Sequence, residues 1–393
     1  MKICFLVDSI YSLGGYQRCT VNIANMLKSE GYDITIVCTR DIKLEKRINY
    51  GLNDEIKIKN IRWGNNFFKI IMIWTKILIL LNNKTNLLKN NFKILSFIYY
   101  KKNILGLKKI QTYFNKNKFD CIIGVSAYYS MVLGLIDNRN NAKLIGWQHS
   151  TSKRYFDMPG EFLWHQDALV SHVMKKLDEY IVLTKADTKL IRKKFHKVAS
   201  VIYNPNMLVS TKKSDLTNKT ILAVGRYHNV KGFDLLLEAF SIFHQENPDW
   251  KLRIVGDGIE RENLKKQIKQ LNLDKSVNLV YPTNSVLNEY LNASIFVLSS
   301  RIEGWGLVVV EAMECGLPIV SFDLDCVHEI FSKNEGIVVE YLNTEQMAKA
   351  FFKLANDYKL RKKMGELAIE QAKKFKIEKI KNDWIKVING GKI

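Results

Sequence analysis

The stretch from residue 299 to 322, S-S-R-I-E-G-W-G-L-V-V-V-E-A-M-E-C-G-L-P-I-V-S-F, most constrains how this chain can fold. It predicts a strand end, a loop between glycines, a short helix closed by Gly316, and a strand opened by Pro318. Such a passage places the loop and the helix N-terminus at the carboxyl edge of a parallel sheet, where ligands bind and free amides favour anions. With Glu303 in the loop and Glu311 on the helix, the stretch predicts a phosphate-bearing ligand held by backbone amides and two acids.

A strand is the alternative to the helix within this stretch. Residues 308–310 are three valines, and β-branched side chains are restricted in a helix, which makes a strand the rival interpretation. Residues 312–314 favour a helix, and Gly316 followed by Pro318 supplies a stop signal. We therefore expect a helix here.

Length and composition predict a globular protein of two domains. The chain has 393 residues, of which 47% are hydrophobic and 25% charged, and one core rarely serves this length. Lys2 leads directly into an apolar strand, without the features of a cleavable signal. The six cysteines are scattered, with no C-x-x-C, so we expect buried thiols and a cytoplasmic protein.

The formal charge of +21 is unevenly distributed. No carboxylate occurs between Glu55 and Asp120, whereas lysines recur throughout and alternate with apolar residues over 67–81 and 92–102. Any basic protein can bind nucleic acid, but no nucleic-acid-binding module accompanies this charge, so nucleic acid ranks last among the partners.

Part of this basic segment, within residues 56–119, predicts an amphipathic helix that is interrupted by Lys76 and too short to span a bilayer. One interpretation is a helix on an anionic membrane surface, with lysines reaching headgroups. The other is a core-facing helix with a solvated basic face. The residues at helical spacing are Phe67, Ile70, Ile71, Trp74, Ile77, Leu78 and Leu81.

Apolar strands alternate with amphipathic helices in both halves of the chain, which predicts two βα domains. The expected domain boundary lies near Asn204, and a linker is expected over 210–218. The expected strands are 2–8, 33–39, 120–126, 143–149, 179–184, 200–204, 220–225, 250–255, 277–281 and 295–299. The expected helices are 18–30, 186–195, 232–243, 260–271, 285–292, 344–358, 359–375 and 378–388.

Two features of the first half are candidates for ligand contact. The loop after the first strand reads G-G-Y-Q-R rather than G-x-G-x-x-G, and no acid ends the second strand, which argues against dinucleotide binding. Gly15 either lets the backbone approach a ligand or only forms the turn. His149 follows a strand end, so it either faces a ligand or is structural.

The second half carries two cations on a strand-to-helix loop. Arg226 and Lys231 flank this loop, where they could meet a diphosphate that the helix N-terminus also attracts. The alternative is a pair of solvated loop cations. Their combination with two acids at one predicted sheet edge favours a ligand site.

These motifs together resemble a known family. V-G-R-x4-K-G-F-D-L-L-L-E-A-F and E-G-W-G-L-x3-E-A-M-x-C-G-L-P-I-V are similar to the family-4 retaining glycosyltransferases, whose E-x7-E motif matches Glu303 and Glu311. The resemblance implies an α/β GT-B fold, with two Rossmann-like domains facing each other across a cleft. Residues 1–205 would form the acceptor-binding domain and 206–375 the nucleotide-sugar-binding domain, and a helix in 376–393 would cross back to the N-terminal domain.

The resemblance also implies roles for the second-domain residues. The positions matching Arg226 and Lys231 hold the donor diphosphate, and the position matching Glu311 accepts hydrogen bonds from the ribose. The position matching Glu303 contacts the transferred sugar, next to the backbone amides of Gly304, Trp305, Gly306 and Leu307.

The family resemblance further implies that His149 faces the sugar and that the anomeric configuration is retained without a metal or a cofactor. The leaving diphosphate would accept the acceptor proton on the same face of the sugar. Asp323 and Asp325 have a D-x-D spacing, which is used for metal binding in a different glycosyltransferase fold. We interpret them as a polar loop.

The sequence as a whole predicts a transferase that moves a hexose or N-acetylhexosamine from a nucleotide sugar, expected to be a UDP-sugar. The expected acceptor is a glycan or a polyprenyl-linked oligosaccharide in cell-surface polysaccharide synthesis. An anionic membrane surface is a further candidate partner of this cytoplasmic enzyme. The alternatives are a non-catalytic sugar-nucleotide-binding subunit and a GT-B sugar-nucleotide epimerase.

Overall fold

A computed structural model describes residues 1–12, 14–40, 48, 50–62, 69–100, 104–282 and 285–391, and for 69–72 and 104–105 it describes the backbone only. The chain forms two compact units. The first unit comprises Met1–Tyr203 and Ile380–Ile393, and the second comprises Asn204–Lys379. The division after Tyr203 lies two residues before the expected boundary at 205, and the return to the first unit begins at Ile380 rather than at 376.

Within its described residues, the first unit contains a seven-stranded parallel sheet in the order β3-β2-β1-β4-β5-β6-β7. The central strands are continuous apolar runs, because helices cover both faces of a parallel sheet. The strands are β1 Lys2–Val7, β2 Asp33–Cys38, β3 Lys57–Asn60, β4 Cys121–Val125, β5 Lys143–Trp147, β6 Glu179–Val182 and β7 Ser200–Val201.

The sequence prediction missed one strand of this sheet. All four residues of β3 are exposed, and this strand lies at the edge of the sheet. An edge strand with two lysines has no buried apolar run to mark it.

The helices of the first unit include several that the sequence prediction did not identify. The helices are α1 Gly15–Ser29, α2 Lys69–Thr85, α3 Phe92–Tyr99, α4 Ile104–Asn117, α5 Ser126–Gly134, α6 Ser152–Asp157, α7 Asp167–Lys176 and α8 Lys185–Phe195.

The C-terminal helix returns to the first unit, as expected. In this helix, Trp384 is fully buried and packs edge-to-face on Trp147 of β5, with ring centroids 4.7 Å apart. The Lys143 ammonium donates to the backbone carbonyl of Val387. These contacts bind the end of the chain to the sheet of its first half.

The second unit contains, within its described residues, a six-stranded parallel sheet in the order β10-β9-β8-β11-β12-β13. The strands are β8 Thr220–Val224, β9 Lys251–Val255, β10 Val277–Val280, β11 Ile295–Leu298, β12 Ile319–Phe322 and β13 Gly336–Val339. The helices are α9 Phe233–His244, α10 Arg261–Gln270, α11 Val286–Leu291, α12 Leu307–Glu314, α13 Val327–Ile330, α14 Thr344–Asn356, α15 Tyr358–Ala372 and α16 Ile377–Ile388, the last of which ends in the first unit.

The expected linker over 210–218 is instead a packed part of the second unit. The Ser214 amide donates to the carbonyl of Cys315 at 2.9 Å, and Leu216 is buried. Lys213 Nζ donates to the Glu314 carboxylate at 2.9 Å. The polar composition predicted a flexible stretch, but these polar groups have partners at the C-terminal end of α12.

Helix α2 contradicts the core-facing interpretation of the basic segment. Trp74, Ile77 and Leu81, which that interpretation would bury, are exposed, and Leu78 is half-buried. The side chains of Phe67, Ile70 and Ile71 lie outside the described residues. Among the described residues, no helix is long and apolar enough to cross a membrane.

Candidate active site

Each sheet has one point at which the strand order reverses, which we call its switch point, and open α/β proteins bind ligands there. In the second unit the switch point lies between β8 and β11, which pair directly through Ile221 and Ile295. The loop after β8 carries Arg226 and Lys231, and the loop after β11 carries Glu303. The topology therefore brings two distant motifs to one sheet edge.

The two loops meet in an ion pair. Lys231 Nζ donates to Glu303 Oε2 at 2.6 Å, and the Ser300 hydroxyl lies 3.4 Å from the same oxygen. Both charged side chains are half-buried, and partial burial strengthens a charge interaction relative to water. The pair places a cation and an anion side by side at the switch point, where the cation can meet a phosphate.

Arg301 and Asp234, which the sequence analysis did not identify, hold the same two loops together. The Arg301 guanidinium makes two hydrogen bonds to the Asp234 carboxylate, at 2.7 and 2.6 Å, and donates to the carbonyl of Asn229 at 2.9 Å. Its backbone amide also donates to the carbonyl of Val230 at 2.8 Å. We call this set the Arg301 clamp.

The Arg301 clamp changes the protonation of its acid. Burial raises the pKa of Asp234, but the hydrogen bonds and charge of Arg301 outweigh burial and hold that pKa below its ordinary value. The pKa of Arg301 is raised by its hydrogen bonds to Asp234. The clamp is therefore an ion pair throughout the neutral pH range.

The loop after β8 makes a close approach that requires glycine. Gly232 has φ +61, and a Cβ atom there would lie 2.1 Å from the carbonyl oxygen of Ser299. The Ser299 hydroxyl donates to the carbonyl of Lys231 at 3.0 Å. The position of the Lys231 backbone is thus fixed by direct contact with the end of β11.

The valine run forms a helix, as expected, and α12 spans Leu307–Glu314. Its end is a Schellman motif, in which the Gly316 amide donates to Met313 O at 3.0 Å and the Leu317 amide to Ala312 O at 3.1 Å. Gly316 takes the left-handed conformation of that motif, with φ +80. The C-terminal stop signal outweighs the poor helix propensity of the valines.

The N-terminus of α12 directly follows the loop that carries Glu303. Gly306 precedes the helix in the left-handed region, with φ 82, and the first amides of a helix have no intrahelical acceptor. The Trp305 side chain is buried and packs edge-to-face on Phe375, with centroids 5.4 Å apart. Trp305 therefore anchors the loop, and contact of Gly304, Gly306 and Leu307 with a ligand stays a prediction.

Glu311 differs from Glu303 in its surroundings. Its side chain is buried, and Oε2 accepts a hydrogen bond from the Tyr290 hydroxyl at 2.9 Å. A buried carboxylate is stable when its oxygens accept such bonds. The structure thus separates the two acids of the E-x7-E motif, with Glu303 paired to a cation and Glu311 held by a phenol.

Arg226 lies on an exposed part of the loop after β8, and its neighbour Tyr227 anchors that loop. The Tyr227 hydroxyl is buried and donates to the carbonyl of Ile254 at 2.6 Å, beneath the loop. The guanidinium of Arg226 is therefore carried on a fixed backbone at the sheet edge.

The switch point of the first unit lies between β1 and β4 and has different chemistry. The Tyr16 hydroxyl donates to Asp8 Oδ1 at 2.7 Å, and burial together with the Asp8 charge raises the pKa of Tyr16. Gly15 is exposed at the start of α1, and the preceding Gly14 amide donates to the Tyr50 hydroxyl at 3.2 Å. Gly15 is thus exposed beside this switch point, and its contact with a ligand stays a prediction.

His149 lies two residues past the end of β5. Its ring packs against Trp147, with centroids 4.1 Å apart, and lies 5.7 Å from the Tyr16 ring. Nε2 is buried and has no hydrogen-bond partner among the described residues. Burial lowers the pKa of His149 to about 3. The imidazole is therefore neutral near pH 7 and can donate or accept a hydrogen bond.

Asp323 of the D-x-D spacing accepts a hydrogen bond from His328 at 2.6 Å. Across the described part of the chain, no group of three or more His, Cys, Asp or Glu side chains could hold a metal ion. These residues form a polar loop after β12.

Comparison with known proteins agrees with this arrangement. The family model for glycosyl transferases group 1 matches residues 209–371, which include both loops at the switch point of the second unit. An uncharacterized glycosyltransferase of Haemophilus influenzae is 32% identical over 394 residues, covering 98% of both chains.

A second relative matches part of the chain. It is the N-acetylgalactosamine-N,N'-diacetylbacillosaminyl-diphospho-undecaprenol 4-alpha-N-acetylgalactosaminyltransferase of Campylobacter jejuni. It is 32% identical over 177 residues, which are 44% of this chain and 48% of the relative.

Among solved structures, a TarM mutant of S. aureus in complex with fondaparinux, α-GlcNAc-glycerol and UDP has a TM-score of 0.77. The two proteins are 19% identical, and the superposition covers 99% of this chain and 100% of the TarM chain. The likeness confirms the expected GT-B fold. The full-length relative and the family model together show that the chain belongs to the glycosyl transferases group 1 family and is a glycosyltransferase.

Proposed function

We propose that this glycosyltransferase moves a hexose or N-acetylhexosamine from a UDP-sugar to a glycan or a polyprenyl-linked oligosaccharide in cell-surface polysaccharide synthesis. The proposal places the reaction in the cytoplasm, at the membrane when the acceptor is lipid-linked. The observation that carries it is the Lys231–Glu303 ion pair at the switch point of the second unit. A cation on one loop can bind the diphosphate, and an acid on the adjoining loop can accept hydrogen bonds from the sugar.

The relatives support the choice of donor and acceptor. The Campylobacter relative is named for transfer of N-acetylgalactosamine to a diphospho-undecaprenol-linked sugar, which is a lipid-linked acceptor. The TarM complex contains UDP. The same two classes of molecule are therefore proposed for this chain.

In the proposed reaction, Arg226 and Lys231 bind the diphosphate and stabilise the negative charge that develops as it leaves. The amides at the start of α12 add to this stabilisation. The buried carboxylate of Glu311 accepts from the ribose hydroxyls, and Glu303 binds the transferred sugar while it stays next to Lys231. The neutral imidazole of His149 donates or accepts a hydrogen bond at the sugar.

The proposed transfer retains the anomeric configuration without a metal or a cofactor. The bond between the anomeric carbon and the diphosphate oxygen breaks, and the acceptor oxygen forms its bond to that carbon on the same face. The acceptor proton passes to the departing diphosphate oxygen. In this scheme Glu303 is neither the nucleophile nor the base, and its carboxylate keeps Lys231 as its partner.

The test is a screen for UDP release from a panel of UDP-sugars, with and without polyprenyl-linked acceptors, after chelation of divalent ions. We expect acceptor-dependent UDP release and an α-linked product by NMR from an α-linked donor. Conversion of the donor without any acceptor would indicate the epimerase. Binding of UDP-sugars without turnover in any combination, unchanged in Glu303→Gln, would indicate the non-catalytic subunit.

A further inference from the structure

Helix α2 exposes a row of large apolar side chains. Its apolar side chains Ile73, Trp74, Ile77, Leu80 and Leu81 are between 41% and 64% exposed. In a globular protein the apolar side of such a helix normally faces the core. Here five large apolar side chains face away from the protein.

The inward side of α2 is held by specific hydrogen bonds, beside the half-buried side chains of Leu78 and Ile79. Thr75 and Asn82 are buried, and Asn82 Nδ2 donates to the carbonyl of His165 at 3.0 Å. Asn82 Oδ1 accepts from the Leu88 amide at 3.0 Å, and the Trp164 indole donates to the carbonyl of Asn83 at 3.2 Å. These bonds fix the rotation of the helix, so the outward direction of its apolar side is built into the fold.

The exposed apolar side chains occupy one face of the helix. Positions 73, 77, 80, 81 and 84 follow the spacing of three and four residues that marks one helix face. Lys84 is on this face and Lys76 on its flank, and both are exposed. The turn after α2 and helix α3 add exposed Leu87, Ile94 and Phe97, together with exposed Lys89 and Lys93. We call this set the α2 face.

The charge of the α2 face selects among its possible partners. No carboxylate occurs between Glu55 and Asp120, so the lysines of the face have no acid in their own segment. A second copy of the same face would bring lysines against lysines and is disfavoured. An anionic lipid surface accepts the apolar side chains at the depth of the acyl chains while the lysines reach the headgroups.

We propose that the α2 face docks the enzyme on an anionic phospholipid membrane, with Trp74, Ile77 and Leu80 inserted at the interface and Lys76 and Lys84 at the headgroups. An isolated protein rarely exposes an apolar patch of this kind. Contact with lipid removes these side chains from water, which stabilises the docked state. The docking deepens the proposed function, because it places the first unit at the surface where a polyprenyl-linked acceptor resides.

The test is co-sedimentation of the full chain with vesicles of phosphatidylglycerol and phosphatidylcholine, compared with vesicles of phosphatidylcholine alone. We expect the wild-type protein to bind the anionic vesicles. High salt should weaken this binding only partly, because salt screens the attraction of the lysines but not the contact of the apolar side chains with lipid. The Ile77→Glu/Leu80→Glu variant is expected to bind about tenfold more weakly or worse.

Matched controls separate the α2 face from general hydrophobicity and charge. Val198→Glu in the first unit and Ile259→Glu in the second replace side chains that are 74% and 79% exposed, and both should bind like wild type. Lys76→Glu/Lys84→Glu should lose anionic binding, while Lys359→Glu/Lys363→Glu, at two exposed lysines of α15, should not. Circular dichroism and thermal melting verify that each variant is folded.

Two results would overturn the docking proposal. One is wild-type protein that does not bind anionic vesicles, and the other is binding that the α2-face variants share equally with their controls. A concentration-dependent dimer that Ile77→Glu/Leu80→Glu dissolves, without vesicle binding, would assign the face to a second copy instead. Docking is measured without donor or acceptor, so vesicle binding in a protein that transfers no sugar would refute the proposed function and leave the docking standing.

Discussion

The two switch points of this molecule have the same topology and different chemistry. At the second unit, cations and acids meet in two ion pairs, Lys231–Glu303 and Arg301–Asp234. At the first unit, Asp8 accepts from the Tyr16 hydroxyl, the Arg40 charge acts on the same hydroxyl, and the imidazole of His149 is neutral near pH 7.

The difference fits the proposed function, in which the second switch point binds the diphosphate and the first faces the sugar. A diphosphate carries charge that grows as it leaves, so the residues that hold it must supply charge at fixed positions. The transferred sugar is uncharged, so neutral donors and acceptors can contribute to its orientation. Substitutions that remove charge at the second switch point should therefore cost more activity than neutral exchanges at the first.

The largest expected effect is at Glu303. In Glu303→Gln the sugar loses a charged hydrogen-bond partner and Lys231 loses its counterion, so kcat should fall about 10²- to 10³-fold. The KM for the donor should change by no more than roughly threefold, since the freed Lys231 still binds the diphosphate. Initial-rate kinetics over donor concentration measure both quantities.

The control for this substitution is an equally close ion pair away from the switch point. Glu289 receives two hydrogen bonds from Arg253, at 2.8 and 2.9 Å, and Glu289→Gln should leave kcat close to wild type. Equal losses in Glu303→Gln and Glu289→Gln would mean that the effect is one of stability, and the comparison of the two switch points would fail.

A smaller effect is expected at the Arg301 clamp, which positions Lys231 and Glu303 but need not touch substrate. In Arg301→Gln the two loops lose their bidentate link, and kcat/KM should fall roughly tenfold to a hundredfold through misplacement of the ion pair. Asp234→Asn should cause a similar loss, and the double variant should cost little more than either single one.

Kinetics on the double variant, with Arg253→Gln as the control, measure this coupling. Fully additive losses from Arg301→Gln and Asp234→Asn would show that the two residues act independently. The clamp would then have no part in positioning the Lys231–Glu303 pair.

The smallest effect is expected at His149, where the prediction concerns pH. Because the imidazole is neutral above about pH 5 in the folded protein, the ratio of wild-type to His149→Asn activity should stay constant between about pH 6 and 8. A ratio that changes with an apparent pKa near 6.5 would show that His149 titrates during catalysis.

The same residue links stability to pH. Burial lowers the pKa of His149 from its ordinary 6.5 to about 3, so below pH 6.5 the unfolded chain binds a proton that the folded chain does not. The contribution of His149 to stability is complete above pH 6.5 and is lost as the pH falls toward 3. We expect the Tm of wild type, relative to His149→Asn, to fall as the pH is lowered over this range, which scanning calorimetry measures.

The fold was largely predictable because its signals are local. The apolar runs of β1 and β11 mark buried parallel strands, and Gly316 with Pro318 marks the end of α12 despite its three valines. The exposed edge strand β3 carries no such signal. The stretch over 210–218 has a polar composition typical of a linker, and only its tertiary partners, such as Glu314 for Lys213, show that it is packed.

The candidate site was predictable in its residues but not in its contacts. Motif spacing brought Lys231 and Glu303 to one sheet edge, but their direct ion pair depends on two loops that are distant in sequence. Nothing local to Arg301 or Asp234 marks them as partners. For α2, helical spacing shows that one face is apolar, but only the burial of Thr75 and Asn82 shows which face meets solvent.

Binding of the UDP-sugar diphosphate at the second switch point can be measured by calorimetric titration with UDP. Lys231→Ala and Arg226→Ala should each weaken UDP binding about tenfold or more. Arg253→Gln, which removes an arginine elsewhere in the same unit, should bind UDP like wild type. Equal UDP affinity in all four proteins, or no UDP binding by the wild type, would contradict the account.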